Sequence, residues 1–353
     1  MIELTILLIL GIAAGTITGL SPGIHINLIS AILLSLLPSL AFVRPISLAV
    51  FIVSMSIAHS FIDFITSIYL GAPNEDNFLS ILPGHKLLLK GKAHEAVVLT
   101  LYGSLTALAI VLIFTPIFIL FLPKIYNITK TALPFILIFI SLFLIFREKH
   151  IVSSLIIFML SGFLGFSALN LPINQPLLPL LTGLFGLSSL IVSIKSKIKI
   201  PKQKIPRLKD ISLSKKEFLS SAAAASLSAP LCSFLPGIGS GHAAVIGSEI
   251  MPQNNRTFLF LIGSISTIVT ALNFVALYSI EKARSGTSAA IKEILNPFTR
   301  ADITIIMLAI IFSGIISFFI ALKISKLFAK HINKLNYTAI SIAVAFILVA
   351  LSI

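Results

Sequence analysis

The chain has 353 residues, 57% hydrophobic and only 11% charged, with a net charge of +14 and a mean hydropathy of +1.08. So little charge cannot cover the surface of a soluble domain, whereas apolar runs of about 20 residues can each cross a bilayer core of about 30 Å. Runs of helix length, in place of short alternating ones, predict an all-α integral membrane protein and exclude a barrel.

In chain order, apolar segments are predicted at 2–20, 24–41, 45–70, 94–122, 131–147, 151–168 and 177–194. The first of these follows the start almost directly, without a basic leader, and reads as a first mature segment, not a cleaved signal peptide. A basic stretch comes next, with nine bases between Lys195 and Glu217 against Asp210 and Glu217 as the acids. Pro201 and Pro206 mark it as a surface connection. Further apolar segments are predicted at 218–232, 238–251, 256–281, 301–329 and 335–353. The reading is a polytopic protein of about 10–12 membrane segments, divided into a first membrane repeat with extra helices (1–194), a basic linker (195–217) and a second membrane repeat (218–353).

The excess charge lies in loops that abut membrane segments, which is what the positive-inside rule produces. A second cluster, Lys323, Lys326, Lys330 and Lys334, has the same character. The bases are therefore read as topology determinants facing anionic lipid, with no nucleic-acid partner. The expected location is the cell membrane, multi-pass, with the linker 195–217 in the cytoplasm. The single cysteine, Cys232, excludes an internal disulfide and a cysteine-rich metal site. No metal or organic cofactor is expected, only a coupling Na⁺ or H⁺.

Two interruptions stand out. Gly19 to Asn27 contains Ser21-Pro22-Gly23-Ile24, and Ser233 to His242 contains Pro236-Gly237-Ile238. Each lies between two apolar segments, and the third segment of each set carries a polar residue between apolar ones: Ile62-Asp63-Phe64 and Leu272-Asn273-Phe274. The recurrence points to duplication. With the linker fixed inside, crossing parity puts the uncharged loop 170–175 outside and the basic loops inside. This holds when the two segments around each Pro-Gly contribute an even number of crossings, as two spans or as a re-entrant hairpin. The two repeats then have inverted topology.

Pro-Gly breaks a helix, and in hydrocarbon the freed backbone groups survive only where protein or a wet cavity satisfies them. Ser21 as N-cap and Pro22 at the first helical position would aim a helix N-terminus, roughly half a positive charge, at the break. The candidate anion-binding residues are Ser21, Pro22, Gly23, His25 and Asn27 in the first repeat. In the second they are Pro236, Gly237, Gly239, Ser240, Gly241 and His242. Ionisable side chains within apolar segments are costly and mark function, so His59, Asp63 and Asn273 are the ion-coupling candidates. The plain alternatives are that the breaks only kink packed helices and that His59 and Asp63 form a buried structural pair. Glu249 lies near a segment end and reads as interfacial. No paired-histidine metal spacing, nucleophile elbow or nucleotide loop occurs, so the chain does not read as an enzyme or an ATP-driven pump.

The stretch Leu79-Ser80-Ile81-Leu82-Pro83-Gly84-His85-Lys86, continuing to Lys90-Gly91-Lys92-Ala93-His94-Glu95-Ala96, resembles a loop of the TctA family, the large membrane subunits of tripartite tricarboxylate transporters. The breaks at Pro22 and Pro236 are similar to that family's duplicated Pro-Gly sequences, and the likeness is closest to its short archaeal-type members. The resemblance implies uptake of a di- or tricarboxylate driven by a cation gradient, with Pro22, Gly23, Pro236 and Gly237 in the substrate and ion sites. It also implies a small membrane subunit and an extracytoplasmic solute-binding protein as partners. A second family with duplicated Pro-Gly breaks translocates polyprenyl phosphate, and its Pro-Gly-x-Ser-Gly-Gly motif is similar to Pro236 to Gly241. A lipid-phosphate translocase therefore stays open, and so does a membrane-embedded lipid-modifying enzyme.

Overall fold

The computed structural model describes residues 2–21, 26–35, 37–40, 42–71, 78–170, 172, 187, 191, 200–234, 239–332, 339, 342, 343, 345, 346, 349 and 350. Among the described residues there are eleven α-helices and no strand. They are α1 (Ile2–Leu20), α2 (Ile26–Ser35), α3 (Pro45–Leu70), α4 (Ile81–Leu89), α5 (Ala93–Arg147), α6 (Ile151–Leu169), α7 (Lys215–Phe234), α8 (Ser240–Ile250), α9 (Asn255–Ile280), α10 (Gly286–Ile294) and α11 (Arg300–His331). Six of them are long and apolar enough to cross a membrane: α1, α3, α5 as far as Ile128, α6, α9 and α11. The chain is an all-α polytopic membrane protein. The segments expected at 177–194 and 335–353 lie largely outside the described residues.

Helix ends follow local chemistry. Pro45 opens α3 at a position whose N–H would have no helical partner anyway. Gly71, at φ 66°, closes it by donating its N–H to the Ser67 carbonyl at 3.1 Å. The Asn254 side chain caps α9 by accepting from the N–H groups of Arg256 and Thr257 at 2.8 and 3.0 Å. Thr299 and Asp302 form a reciprocal capping box that starts α11.

Three features depart from the expected segments. First, 94–122 and 131–147 join in one 55-residue helix, α5. Straight, it would be about 82 Å long. It is not straight. Glu95 pairs with Arg256 at 2.9 Å, and Tyr126 lies 5.9 Å below the guanidinium of Arg284, so α5 first runs beside α9. Arg147 then pairs with Glu249 at 2.7 Å. Glu249 is only seven residues from Arg256 (256 − 249), so the last third of α5 returns toward the end where it began. Pro116, Pro123 and Pro134 each remove a ladder donor and supply the bends. Second, α2 and α8 have 10 and 11 residues, about 15 Å each, half the thickness of a bilayer core. Third, two nine-residue helices, α4 and α10, occupy what the sequence reads as loops.

The order of elements recurs. Helices of 19, 10, 26 and 9 residues precede the long α5. Helices of 20, 11, 26 and 9 residues precede the long α11. Packing between the halves is reciprocal: α3 lies on α11 and α9 on α5, while α10 touches α3 and α4 touches α9. The helices α3 and α9, buried along most of their length, form the centre. No residue in the apolar window of α6 is buried, so that helix is exposed on all faces.

Close backbone contact orients these pairs. On α1, a Cβ at Gly11, Gly15 or Gly19 would strike Phe51, Met55 or Ile62 of α3 in turn, so α1 and α3 run parallel. Glu3 and Arg44, 3.0 Å apart, pair their first residues. In the other half, Ser221 donates to Gln253 at 2.8 Å and Gly247 packs against Ser228, so α7 and α8 run antiparallel. Between α5 and α9 a Cβ on Gly103 would strike the Phe260 carbonyl, and one on Gly263 the Thr100 carbonyl. The Ser104 hydroxyl donates to the Gly263 carbonyl at 3.1 Å and the Ser264 hydroxyl to the Gly103 carbonyl at 3.0 Å. Small residues with crossed serine bonds are how membrane helices attract without a hydrophobic drive between them.

Candidate functional site

The small residues of α1 bring its last turn against a polar stripe on α3. His59 and Asp63, one turn apart, are 5% and 3% exposed. Their side chains approach to 4.0 Å between Nε2 and Oδ2. His59 Nδ1 lies 3.0 Å from the Thr18 hydroxyl. The Thr66 hydroxyl bonds the Asp63 carbonyl at 2.8 Å and the Gly19 carbonyl at 3.3 Å. The end of α1, where the first Pro-Gly break begins, therefore sits beside the buried carboxylate. Burying an ion pair costs solvation that its attraction barely returns, so such a pair is weak as a stabiliser. Ionisable side chains are costly in a membrane segment, which makes the pair a candidate site.

Asn273 holds the matching place in the other half. Asp63 and Asn273 are each the nineteenth residue of a 26-residue helix (63 − 44 = 273 − 254 = 19). The Asn273 Oδ1 is buried and has no hydrogen-bond partner among the described residues. The structure does not bring Asn273 to His59 and Asp63, however. Tyr69 at the end of α3 and Arg256 at the start of α9 lie at the same end of the molecule, where Tyr69 bonds Ser325, Ser325 meets His94, and Arg256 pairs with Glu95. The helices are antiparallel, so Asp63 and Asn273 are separated by about 16 Å along the axis. The three ion-coupling candidates therefore stand at two levels of the bundle, the His59–Asp63 pair at one and Asn273 at the other.

The breaks themselves are partly described. Ser21 closes α1, its hydroxyl donating to the Ile17 carbonyl at 2.7 Å and its N–H to the Thr18 carbonyl at 3.2 Å; the residues it was expected to cap lie outside the described residues. Pro22, Gly23, His25, Pro236 and Gly237 lie outside the described residues. Asn27 falls in the first turn of α2, and its side chain also lies outside them. In the second half Gly239 is the N-cap of α8, and Ser240 and Gly241 are buried in its first turn. His242 is exposed, and its Nδ1 accepts the Gly239 N–H at 3.3 Å. A ring nitrogen that accepts carries no proton, so neutral His242 holds its hydrogen on Nε2. Here a helix does begin directly after the break, with its N–H groups toward it.

The sequence of residues 5–353 matches the tripartite tricarboxylate transporter TctA family. The chain belongs to the TctA family. A curated relative from Methanocaldococcus jannaschii, itself uncharacterised, is 35% identical over 347 residues, covering 95% of this chain and 83% of the relative. No solved structure matches.

In this TctA-family chain the structure adds a polar centre that sequence reasoning passed over. It lies at the end where the basic segments converge. His94 is fully buried, with Nδ1 2.9 Å from the Ser325 hydroxyl, while the Tyr69 hydroxyl donates to the Ser325 carbonyl at 3.1 Å. Glu95, 8% exposed, meets Arg256 at 2.9 Å and Lys92 at 3.5 Å. The Arg256 Nε–H direction misses an aligned hydrogen bond, so that pair is a charge contact. The linker is strapped across this end. Gln203 accepts the Ala93 N–H at 2.9 Å and donates to the Leu88 carbonyl at 3.1 Å, and the Lys204 N–H donates to the Gly91 carbonyl at 2.8 Å. Gly91 sits at φ 72° with Lys202 2.9 Å from where a Cβ would stand, so only glycine fits. The sequence signal was the Lys90 to Ala96 stretch, noted for its resemblance and not for its buried side chains.

Proposed function

We propose that this chain is the large membrane subunit of an ion-coupled secondary transporter for a small organic anion, a di- or tricarboxylate. What carries this reading is the match to a transporter family along nearly the whole chain. The buried His59–Asp63 pair beside the end of α1 supplies the mechanism. Asp63 holds the coupling cation, Na⁺ or H⁺, with His59 and Thr18 tuning its charge. The anion binds where α2 and α8 begin, at Gly239, Ser240 and Gly241 on the second side, because helix N-termini carry partial positive charge and open N–H groups.

In this reading the halves are inverted repeats. Each half-length helix ends near one membrane surface and begins near mid-depth, so the two positive ends approach the anion from opposite sides. The reciprocal packing of α3 on α11 and α9 on α5 supports the repeat. Asn273, with its open Oδ1, is a neutral ligand on the far side of the anion. The basic linker faces the cytoplasm, and the partners are a small membrane subunit and an extracytoplasmic solute-binding protein.

The test is uptake of labelled citrate into liposomes under imposed Na⁺ and H⁺ gradients, with and without a solute-binding protein. Uptake following one gradient supports the reading, and accumulation indifferent to both ends it. Topology is tested separately: a cysteine at Lys202 that reacts with an impermeant reagent from outside intact cells excludes the inverted arrangement.

A further inference from the structure

We propose that the groove between α5 and α7 at the basic end holds one anionic lipid, its chain against Tyr102, Leu105, Phe218 and Leu219 and its headgroup on Lys215. The groove has a volume of about 540 Å³ and an almost wholly apolar lining, with Lys215 as its charged rim. Lys215 is the first residue of α7, and Phe218 and Leu219 follow one turn further in. One turn is about 5.4 Å, the drop from headgroup level to the first methylenes. Phe218 and Leu219 are 40% and 65% exposed, and Phe218 stacks edge-on to Phe260 at 5.4 Å, which fixes one wall. The opposite wall is held because the Tyr102 hydroxyl donates to the Leu208 carbonyl of the linker at 3.0 Å.

Charge selects the occupant. Around this end Lys92 and Arg256 share Glu95, Arg207 pairs with Asp210 and Arg147 with Glu249, so these bases already have carboxylate partners. Lys215 is exposed and makes no ion pair among the described residues, and Lys216 stands next to it. An unneutralised ammonium at the lip of an apolar groove fits a lipid phosphate with a net negative headgroup, not a zwitterionic one. A transmembrane helix of a partner would fill the groove but leave Lys215 uncompensated.

Native mass spectrometry of the full chain in detergent, with equal amounts of phosphatidylglycerol and phosphatidylcholine, tests this. The intact protein is expected to retain one phosphatidylglycerol in preference. Lys215→Gln weakens that preference by about fivefold, as removing one base near an anionic surface does. Leu105→Trp, which fills the groove, removes retention of both lipids while the thermal unfolding midpoint holds. Equal retention of both lipids by the unaltered chain overturns the proposal. So does a preference that survives both substitutions, or a photo-crosslinker at Leu219 that captures a polypeptide instead of lipid.

Discussion

The first turns to compare are the ends of α1 and α7, each packed beside the central helix of its half. Beside α1 the central helix presents His59, Asp63 and Thr66; at the same helix positions α9 presents Val269, Asn273 and Ala276. The shared frame is apolar and close-packed in both. What differs is charge: one half keeps a buried carboxylate with a histidine at 4.0 Å, and the other keeps its neutral isostere with an open oxygen. Equivalent helix positions therefore do not carry equivalent chemistry: the carboxylate and histidine stand in one half only.

The largest expected effect comes from erasing that difference. Asp63→Asn makes the first half like the second and lowers gradient-driven uptake by about 100-fold, as removal of an essential interaction does. Asn273→Asp is expected to lower the unfolding temperature instead, because a carboxylate enters apolar surroundings without a histidine one turn away. Retained coupling in Asp63→Asn breaks the comparison. Next come the helix contacts. Gly103→Leu drives a side chain into the Phe260 carbonyl and costs more than about 4 kcal/mol. Gly162→Leu on α6, with nothing within 4 Å, changes stability by less than about 0.5 kcal/mol; unfolding in detergent reads both. Gln203→Ala strands the Ala93 N–H beneath the linker, while the Leu88 carbonyl keeps the Gly91 N–H, and costs about 1–3 kcal/mol.

The smallest effect concerns pH at the foot of α7. Glu217 accepts from the Ser214 N–H, and that bond, with help from the Ser214 hydroxyl and Asn254, holds its carboxyl below the usual 4.5. A lowered value contributes stability that is complete above pH 4.5 and fades as the pH falls through the folded value. At so exposed a site the contribution is below about 0.5 kcal/mol. Glu217→Gln should lower stability by that amount at pH 7, leave it unchanged in strong acid, and so flatten the acid limb of an unfolding curve.

Membrane class was legible in the sequence because burial in lipid demands apolar runs of helix length, and α1, α3, α6, α9 and α11 lie within a few residues of their expected bounds. The register match of Asp63 and Asn273 was legible too, since a helix preserves spacing. The short helices α4 and α10 were not, because nine residues carry too little periodicity to stand out from a loop. The return of α5 was legible as two successive crossings, but their union in one helix and the pairing of Arg147 with Glu249, about a hundred positions apart, were not, because no local pattern records them.

By itself the sequence determined that the chain folds as membrane helices, that its bases gather in a few short stretches, and that Pro-Gly interrupts its apolar sequence twice. These follow from composition and local backbone chemistry alone. Only the tertiary structure decided that His59 and Asp63 meet the end of α1 while Asn273 stands about 16 Å away along the bundle. Helix direction and close glycine contact set that distance, and both belong to packing between segments far apart in the chain.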